Sequence, residues 1–361
     1  MRILGIETSC DETAAAVVED GRKILTNVVA SSVELHQKTG GIIPEVAARE
    51  QLKCIIPVIQ EAIRETQDVR RKTQEKKTSP VSRIAYHDID AIAVTIGPGL
   101  IGSLLVGVET AKTLAYLWKK PIVPINHLQA HLYANWLMPE NKEHRTKNIE
   151  PEFPAIGLVV SGGHTDLVLM KGHQQIKWLG GTRDDAAGEC FDKTARILGL
   201  DYPGGPAIAA SAAPFSILHS PFTIHLPRPM IHEDNFDFSF SGLKTALRRF
   251  APQGKLTSEL VIALAYEIQE AITDVLVAKT LRAAKKYQVK SILLAGGVTA
   301  NPRLREKIQK ALLSYDLFIP QVQLCTDNAT FVAACAFFNF HPVPFSKIQA
   351  DSSLEIEEVI K

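Results

Sequence analysis

Residues 2–29, RILGIETSCDETAAAVVEDGRKILTNVV, decide the fold. They read as a strand over Arg2 to Glu7, a polar turn over Thr8 to Thr13, a strand over Ala14 to Glu19, an Asp20-Gly21 turn and a third strand from Lys23 to Val29. Asp-Gly between two apolar runs is a strong hairpin signal, because the tight turn needs residues that tolerate positive φ. The same grammar returns in residues 155–179, AIGLVVSGGHTDLVLMKGHQQIKWL. There Ala155 to Val160 reads as strand, Ser161-Gly162-Gly163-His164-Thr165 as turn, Asp166 to Met170 as strand, and Gln174 to Leu179 as strand after Lys171-Gly172. The chain therefore reads as duplicated. Each copy continues with glycine-bounded apolar strands, such as Ala91 to Ile96 and Ser291 to Ala295. These alternate with helical patterns, such as Gly102 to Leu117 and Thr257 to Tyr287, which makes an α/β fold, twice.

A length of 361 residues suits two domains at roughly 150 residues each. The chain carries 40 Lys plus Arg against 39 Asp plus Glu, a net charge of +1. That excludes attraction of the whole molecule to a polyanion, so any nucleic-acid contact must be local. Cys10, Cys54, Cys190, Cys325 and Cys335 are scattered without a C-x-x-C pair, which argues against a disulfide framework and a thiolate zinc site. Met1 to Glu7 enter a strand pattern directly, with Glu7, Asp11 and Glu12 too early for a targeting peptide; this predicts a cytosolic protein. The uncharged run Ala91 to Val108 is interrupted by Gly97, Pro98, Gly99 and Gly102 and reads as a strand and glycine turn, not a membrane span.

Two charged stretches, Gln67 to Arg83 and Pro139 to Pro151, read as exposed loops. The first carries Arg70, Arg71, Lys72, Lys76 and Lys77, which suit either a phosphate backbone or plain solvation. Four glycine-rich turns follow apolar strands: Gly97-Pro98-Gly99-Leu100-Ile101-Gly102, Ser161 to Thr165, Gly204-Gly205-Pro206 and Gly296 to Asn301. Glycine lets backbone N–H groups approach an anion, and a following helix adds its positive end. One such loop is an ordinary turn; four in a duplicated α/β chain point to a nucleotide between the lobes. None fits a P-loop or a dinucleotide fingerprint.

In Asn126-His127-Leu128-Gln129-Ala130-His131-Leu132-Tyr133 the two histidines are four residues apart, hence on one face of a helix one turn apart. They read either as two ligands of one metal or as two ordinary helix histidines. The segment is not a zincin, since Leu128 stands where that motif needs its glutamate base. A third ligand is required. Asp327, in the turn Cys325-Thr326-Asp327-Asn328-Ala329, reads either as that ligand or as the N-cap of the helix that follows. Two His and one carboxylate would leave open positions on iron or zinc. Gly180 to Arg196 reads as a helix with acids at its start, closed by Gly199. Within it Asp192 can pair with Arg196, while Asn301 before Pro302 resembles an N-cap. Lys244 with Arg248 and Arg249, and Arg303 with Arg305, Lys307 and Lys310, form two basic helix faces that suit either tRNA or solvent.

Taken together, these segments resemble the TsaD family, the transferases that make N6-threonylcarbamoyladenosine in tRNA. The likeness runs nearly end to end. It includes Gly5 to Thr13, Gly40-Gly41-Ile42-Ile43-Pro44-Glu45, the Gly97 loop, the His127/His131 helix, Val160 to Thr165 and the Asp184 to Arg196 segment. It continues through Leu200 to Pro206, Phe238 to Thr245, Ala295 to Asn301 and Cys325 to Asn328. The resemblance implies duplicated ribonuclease-H-like lobes of the actin, Hsp70 and sugar-kinase superfamily. It implies His127, His131 and Asp327 as ligands of one Fe2+, with Zn2+ as the alternative. Val159, Val160, Ser161, Gly162, Gly163, Asp192, Gly205 and Asn301 match adenylate-binding positions, and Asp11 and Glu12 match an acidic pair implicated in activity. The expected lobes are 1–121, with a helix around 328–345 packing back on it, and 122–327, holding the metal and adenylate site in the cleft; 346–361 is a tail. Three departures stand out: Gln129, where many members have an acid, Ala209, where some have an aspartate, and Thr39, where an aromatic is frequent.

The implied activity is transfer of threonylcarbamoyl from threonylcarbamoyl-AMP to N6 of adenosine 37 in tRNAs reading codons that start with A. The implied partners are tRNA, a shorter relative of the same fold and a small P-loop ATPase, with Mg2+ and ATP used by the assembled system, and no membrane. Rival readings are weaker on residue grounds. A phosphotransferase has no need of an imidazole pair, a metallopeptidase lacks its glutamate, and a noncatalytic scaffold would have no reason to keep all three ligands.

Overall fold

The computed structural model describes residues 1–73, 86–138, 150–216, 222, 224–250, 256–358 and 360. The chain forms two compact units, Met1–Lys147 with Thr326–Lys361, and Asn148–Cys325. The first contains strands β1 (Arg2–Glu7), β2 (Glu12–Glu19), β3 (Lys23–Ser31), β4 (Ala91–Gly97) and β5 (Ile122–Asn126). Its first four helices are α1 (Val33–Thr39), α2 (Pro44–Thr73), α3 (Ile101–Trp118) and α4 (His127–Tyr133). The second unit contains β6 (Ala155–Val160), β7 (Thr165–Gly172), β8 (Gln175–Gly181), β9 (Ser291–Ala295) and β10 (Asp316–Phe318). Its helices are α5 (Ala187–Leu198), α6 (Gly204–Ala212), α7 (Ser241–Phe250), α8 (Ser258–Tyr287) and α9 (Pro302–Ala311). The chain then returns to the first unit with α10 (Thr330–Phe338).

The two sheets share one topology. Strand order is β3-β2-β1-β4-β5 in the first and β8-β7-β6-β9-β10 in the second. In each, the first three strands form an antiparallel meander and the last two add in parallel to the first. The duplication read in residues 2–29 and 155–179 is therefore a duplication of fold.

Alternation along β1 sends its residues to two different helical layers. Leu4 and Ile6 join Ala15 and Val17 of β2, Ile55 and Ile59 of α2, and Val108 and Ala111 of α3 in one core. The opposite face meets α10, where Ala14 and Ala16 pack on Ala329. Gly5 is required there, because a Cβ would collide with the Ala329 carbonyl oxygen. Glu7 follows two residues on along β1 and is wholly buried.

Several expectations are corrected. The first unit runs on through β5 and α4, not to residue 121, because β5 hydrogen-bonds in parallel to β4 and α4 follows it directly. Thr326 and Asp327 also belong to it. Residues 67–73 continue α2 instead of opening a loop; the rest of that stretch, 74–85, and 139–149 lie outside the described residues. The expected helix from Gly180 begins only at Ala187. Gly180 and Gly181 instead pair with Leu167 and Asp166 of β7, and neither has room for a side chain, Gly180 against Phe236 and Gly181 against Asp166. Among the described residues no helix is long and apolar enough to cross a membrane.

Candidate metal centre and glycine loops

Asn126, the last residue of β5, caps α4: its Oδ1 accepts from the N–H groups of Leu128 and Gln129 at 3.0 and 3.2 Å. The first residue of the capped helix is His127, and one turn on is His131. Their Nε2 atoms lie 3.2 Å apart. Asp327 Oδ1 is 3.2 Å from His131 Nε2 and 3.7 Å from His127 Nε2. The triangle of these three atoms has a circumradius of about 2 Å, the length of a zinc or iron bond to nitrogen or carboxylate oxygen. Both imidazoles are buried while the Asp327 side chain is 19% exposed. His131 Nδ1 is buried with no hydrogen-bond partner. Two nitrogens and one oxygen meeting in this way fit an N/O-ligated transition metal with positions left open.

Asp327 is not a helix cap. Ala329 stands at the N-cap of α10 without a side-chain bond, and Asn328 Oδ1 takes the local role by accepting from the Thr330 N–H at 3.0 Å. That leaves Asp327 to point at the histidines. Phe331 of α10 packs on both imidazoles, with ring centroids 4.5 Å from His131 and 6.3 Å from His127.

Behind His127 stands Glu7, which sequence reading did not single out. Its Oε2 accepts from His127 Nδ1 at 3.1 Å and from Thr95 Oγ1 at 2.6 Å, and its Oε1 from the Ser9 N–H at 2.6 Å. Burial pushes Glu7 up, but the charge of His127 and their hydrogen bond outweigh it and hold the carboxyl below its ordinary range. For His127, burial acts downward, and the charges of Glu7 and then Asp327 reverse it, to about 9 with no cation at the centre. His131 is held down by burial and by the charge of His127. The one signal available in the sequence was an ionisable residue closing the apolar strand Arg2 to Glu7. Glu12 is pushed up by burial, then by Asp327 and Asp11, which brings the acidic pair into the electrostatics of the same centre.

In the second unit, glycine loops gather at the carboxyl ends of the adjacent parallel strands β6 and β9. The Ser161 N–H donates to the His164 carbonyl at 2.8 Å, closing the turn after β6. Gly188, at the start of α5, approaches Ser161 and Gly162 too closely for a side chain, and Gly296, with φ of 89°, does the same to Val160. Asp192 Oδ1 accepts from the Gly204 N–H at 2.7 Å, tying α5 to the start of α6. A Cβ on Gly162, Gly163, Gly205 or Gly297 would meet nothing within 4 Å. Their backbone is thus open to a ligand. Asn301 caps α9 as expected, its Oδ1 accepting from Arg303 and Leu304, while its amide donates to Gln269 at 2.9 Å. The Gly97 loop of the first unit is different: Gly97 is pressed against Asp351 and Gly99 against Ser9, so these glycines serve close packing.

Of the two basic faces, that of α9 is consumed internally. Arg303 pairs with Glu270 and Glu306, Lys307 with Asp274 and Glu270, and Lys310 with Glu306, while Arg305 donates to the Thr299 and Pro320 carbonyls. No ion pair among the described residues engages Lys244, Arg248 or Arg249 on α7.

Two units of one five-stranded topology define the actin-like class of α/β proteins. Solved structures of that class match at the level of fold: component A of (R)-2-hydroxyglutaryl-CoA dehydratase from Acidaminococcus fermentans, with TM-score 0.50, 13% identity and coverage of 93% of this chain and 98% of the other. T. kodakarensis HypF matches with TM-score 0.55 and 14% identity over 94% of this chain and 47% of its own. The family model for tRNA N6-adenosine threonylcarbamoyltransferase matches residues 23–334. A relative with that name from Dehalococcoides mccartyi is 49% identical over 340 residues, 94% of each chain. Another, from Syntrophomonas wolfei, is 46% identical over 353 residues, 97% of this chain and 96% of the relative. The chain belongs to the tRNA N6-adenosine threonylcarbamoyltransferase family.

Proposed function

We propose that this chain transfers threonylcarbamoyl from threonylcarbamoyl-AMP to N6 of adenosine 37 in tRNAs reading codons that start with A. The observation that carries the reading is the convergence of His127, His131 and Asp327 in a chain of that family. In the reaction a bond forms between N6 and the carbamoyl carbon, the carbon–oxygen bond to phosphate breaks, and AMP leaves with the electron pair. The N6 proton must go to a base.

His127, His131 and Asp327 would hold the metal, iron in our reading and zinc as the alternative, which supplies Lewis acidity toward the carbamoyl oxygen. Glu7 keeps a proton on His127 Nδ1 so that Nε2 faces the centre. Asp11 and Glu12 are the acid–base pair. Glu12 has its proton affinity raised by burial and by two neighbouring carboxyls, the property wanted in a group that takes the N6 proton. The second unit binds the adenylate through Val159, Val160, Ser161, Gly162, Gly163, Asp192, Gly205 and Asn301. Its open glycines offer backbone N–H groups to the phosphate, Asp192 keeps one oxygen free of Gly204 for a ribose hydroxyl, and the mixed anhydride is held oriented. The chain works in the cytoplasm with a shorter relative of its own fold and a small P-loop ATPase that uses Mg2+ and ATP. Incubation of tRNA with threonyl-labelled threonylcarbamoyl-AMP tests the reading: label should enter tRNA only when this chain is present, and label entering without it would assign transfer to another component.

A further inference from the structure

β5 is an edge strand of the first sheet, and residues 343–358 close that edge. The Val343 N–H donates to the Ile122 carbonyl at 3.1 Å, an antiparallel bridge at the start of β5. Farther on, the Asp351 N–H donates to the Ile96 carbonyl of β4 at 2.7 Å. Ile348 and Leu354 are buried in the core shared with α2 and α3, which anchors the segment on either side of that bond.

The segment then crosses the start of α4. Asn126 Nδ2 donates to the Glu355 carbonyl at 2.8 Å while its Oδ1 caps the helix, so one amide closes α4 and ties down the tail. Gln129 Nε2 donates to the Ile356 carbonyl at 2.7 Å and the Glu358 carbonyl at 3.1 Å. All three bonds run from amide donors at the start of α4 to main-chain acceptors of the tail. At about 100° per residue, Gln129 projects from a different side of α4 than His127 and His131. Its bonds therefore act on the helix from outside the metal centre. α4 is a short helix, and its first turn carries a ligand; few other bonds fix how far that turn sits from Asp327.

We propose that residues 351–358 are a strap that fixes α4, and that Gln129 is the positioning residue through which the strap sets the spacing of His127 and His131 against Asp327. The proposal rests on the metal reading above. A carboxylate at position 129 has nearly the shape of glutamine but no N–H, and it would face two carbonyl oxygens. A lysine keeps donors for both.

Full-length wild type, Gln129→Glu and Gln129→Lys are compared by hydrogen exchange of residues 348–358 and of α4, and by Co2+ titration followed through its visible absorption. Gln129→Glu should speed exchange in both segments and weaken Co2+ binding about tenfold, the loss seen when groups behind a metal ligand are removed, and Gln129→Lys should restore both. Faster exchange of the tail with unchanged Co2+ affinity and an unchanged band would overturn the strap while leaving the metal reading intact, as would a tail that stays protected in Gln129→Glu. A wild-type chain that takes up no Co2+ would overturn the metal reading and the strap's purpose with it.

Discussion

Glu7 Oε2 accepts a hydrogen bond from His127 Nδ1 at 3.1 Å, inside a strand end that excludes water. The bond decides which nitrogen of His127 carries a proton and leaves Nε2 to face His131 and Asp327. Glu7→Gln keeps the volume but removes the negative charge, so affinity for Co2+ or Zn2+ should fall by about 10- to 100-fold. Chelator competition reads this directly; an unchanged affinity would remove Glu7 from the account.

With no cation bound, His127 is pushed up to about 9, the charges of Glu7 and Asp327 overcoming burial. Below that pH a metal must displace one proton from His127, whereas His131, held down by burial, adds none near neutrality. Affinity should therefore rise about tenfold per pH unit from about pH 6 to about pH 8. Calorimetry in buffers of different ionisation enthalpy should find one proton released per ion, and a pH-independent affinity would contradict the assignment.

Gly5→Ala places a methyl against the Ala329 carbonyl oxygen. The start of α10 must shift, at a cost of about 1–3 kcal/mol for an overpacked core, and Asp327 moves with it. Chemical denaturation should show the loss of stability together with weaker metal binding. Loss of stability with metal affinity intact would mean that the turn before α10 absorbs the strain.

The glycines of the second unit separate packing from binding. Gly163→Ala enters open space and should leave stability within about 0.5 kcal/mol of wild type while weakening AMP binding. Gly188→Ala, pressed against Ser161 and Gly162, should destabilise the fold. If Gly163→Ala binds AMP as wild type does, the nucleotide lies elsewhere.

Asp184 accepts four hydrogen bonds at the start of α7, from Ser239 Oγ, Ser241 Oγ and the N–H groups of Phe240 and Ser241. Burial acts upward on its carboxyl, but these donors prevail and hold it below its ordinary value. A depressed carboxylate stabilises the fold above the unfolded pKa of about 3.9, and the gain disappears as pH falls through the lower folded value. Asp184→Asn should lower Tm near neutral pH, and the difference should shrink in acid; a difference constant with pH would deny the carboxylate this role.

The strand-turn-strand pattern, the Asp-Gly hairpin and the helix-spaced histidines were legible because each is set by local spacing. What escaped was set by partners far along the chain. Asp327 read equally as ligand or cap until Asn328 was seen to take the local bond. Glu7 looked like the polar end of a strand, since its partner His127 is 120 positions away. Gly180 and Gly181 read as the entry to a helix because nothing local shows that β7 pairs with them. The α9 basic face looked free because Glu270 and Asp274, which neutralise it, come from α8.

The most direct measurement is nucleoside mass spectrometry of unmodified tRNA incubated with threonylcarbamoyl-AMP and bacterial partner proteins, with this chain wild type, omitted, or carrying His131→Ala. The account predicts N6-threonylcarbamoyladenosine with wild type alone, His131→Ala remaining folded by circular dichroism. Product formed by a folded, metal-free His131→Ala chain, or without the chain at all, would contradict it.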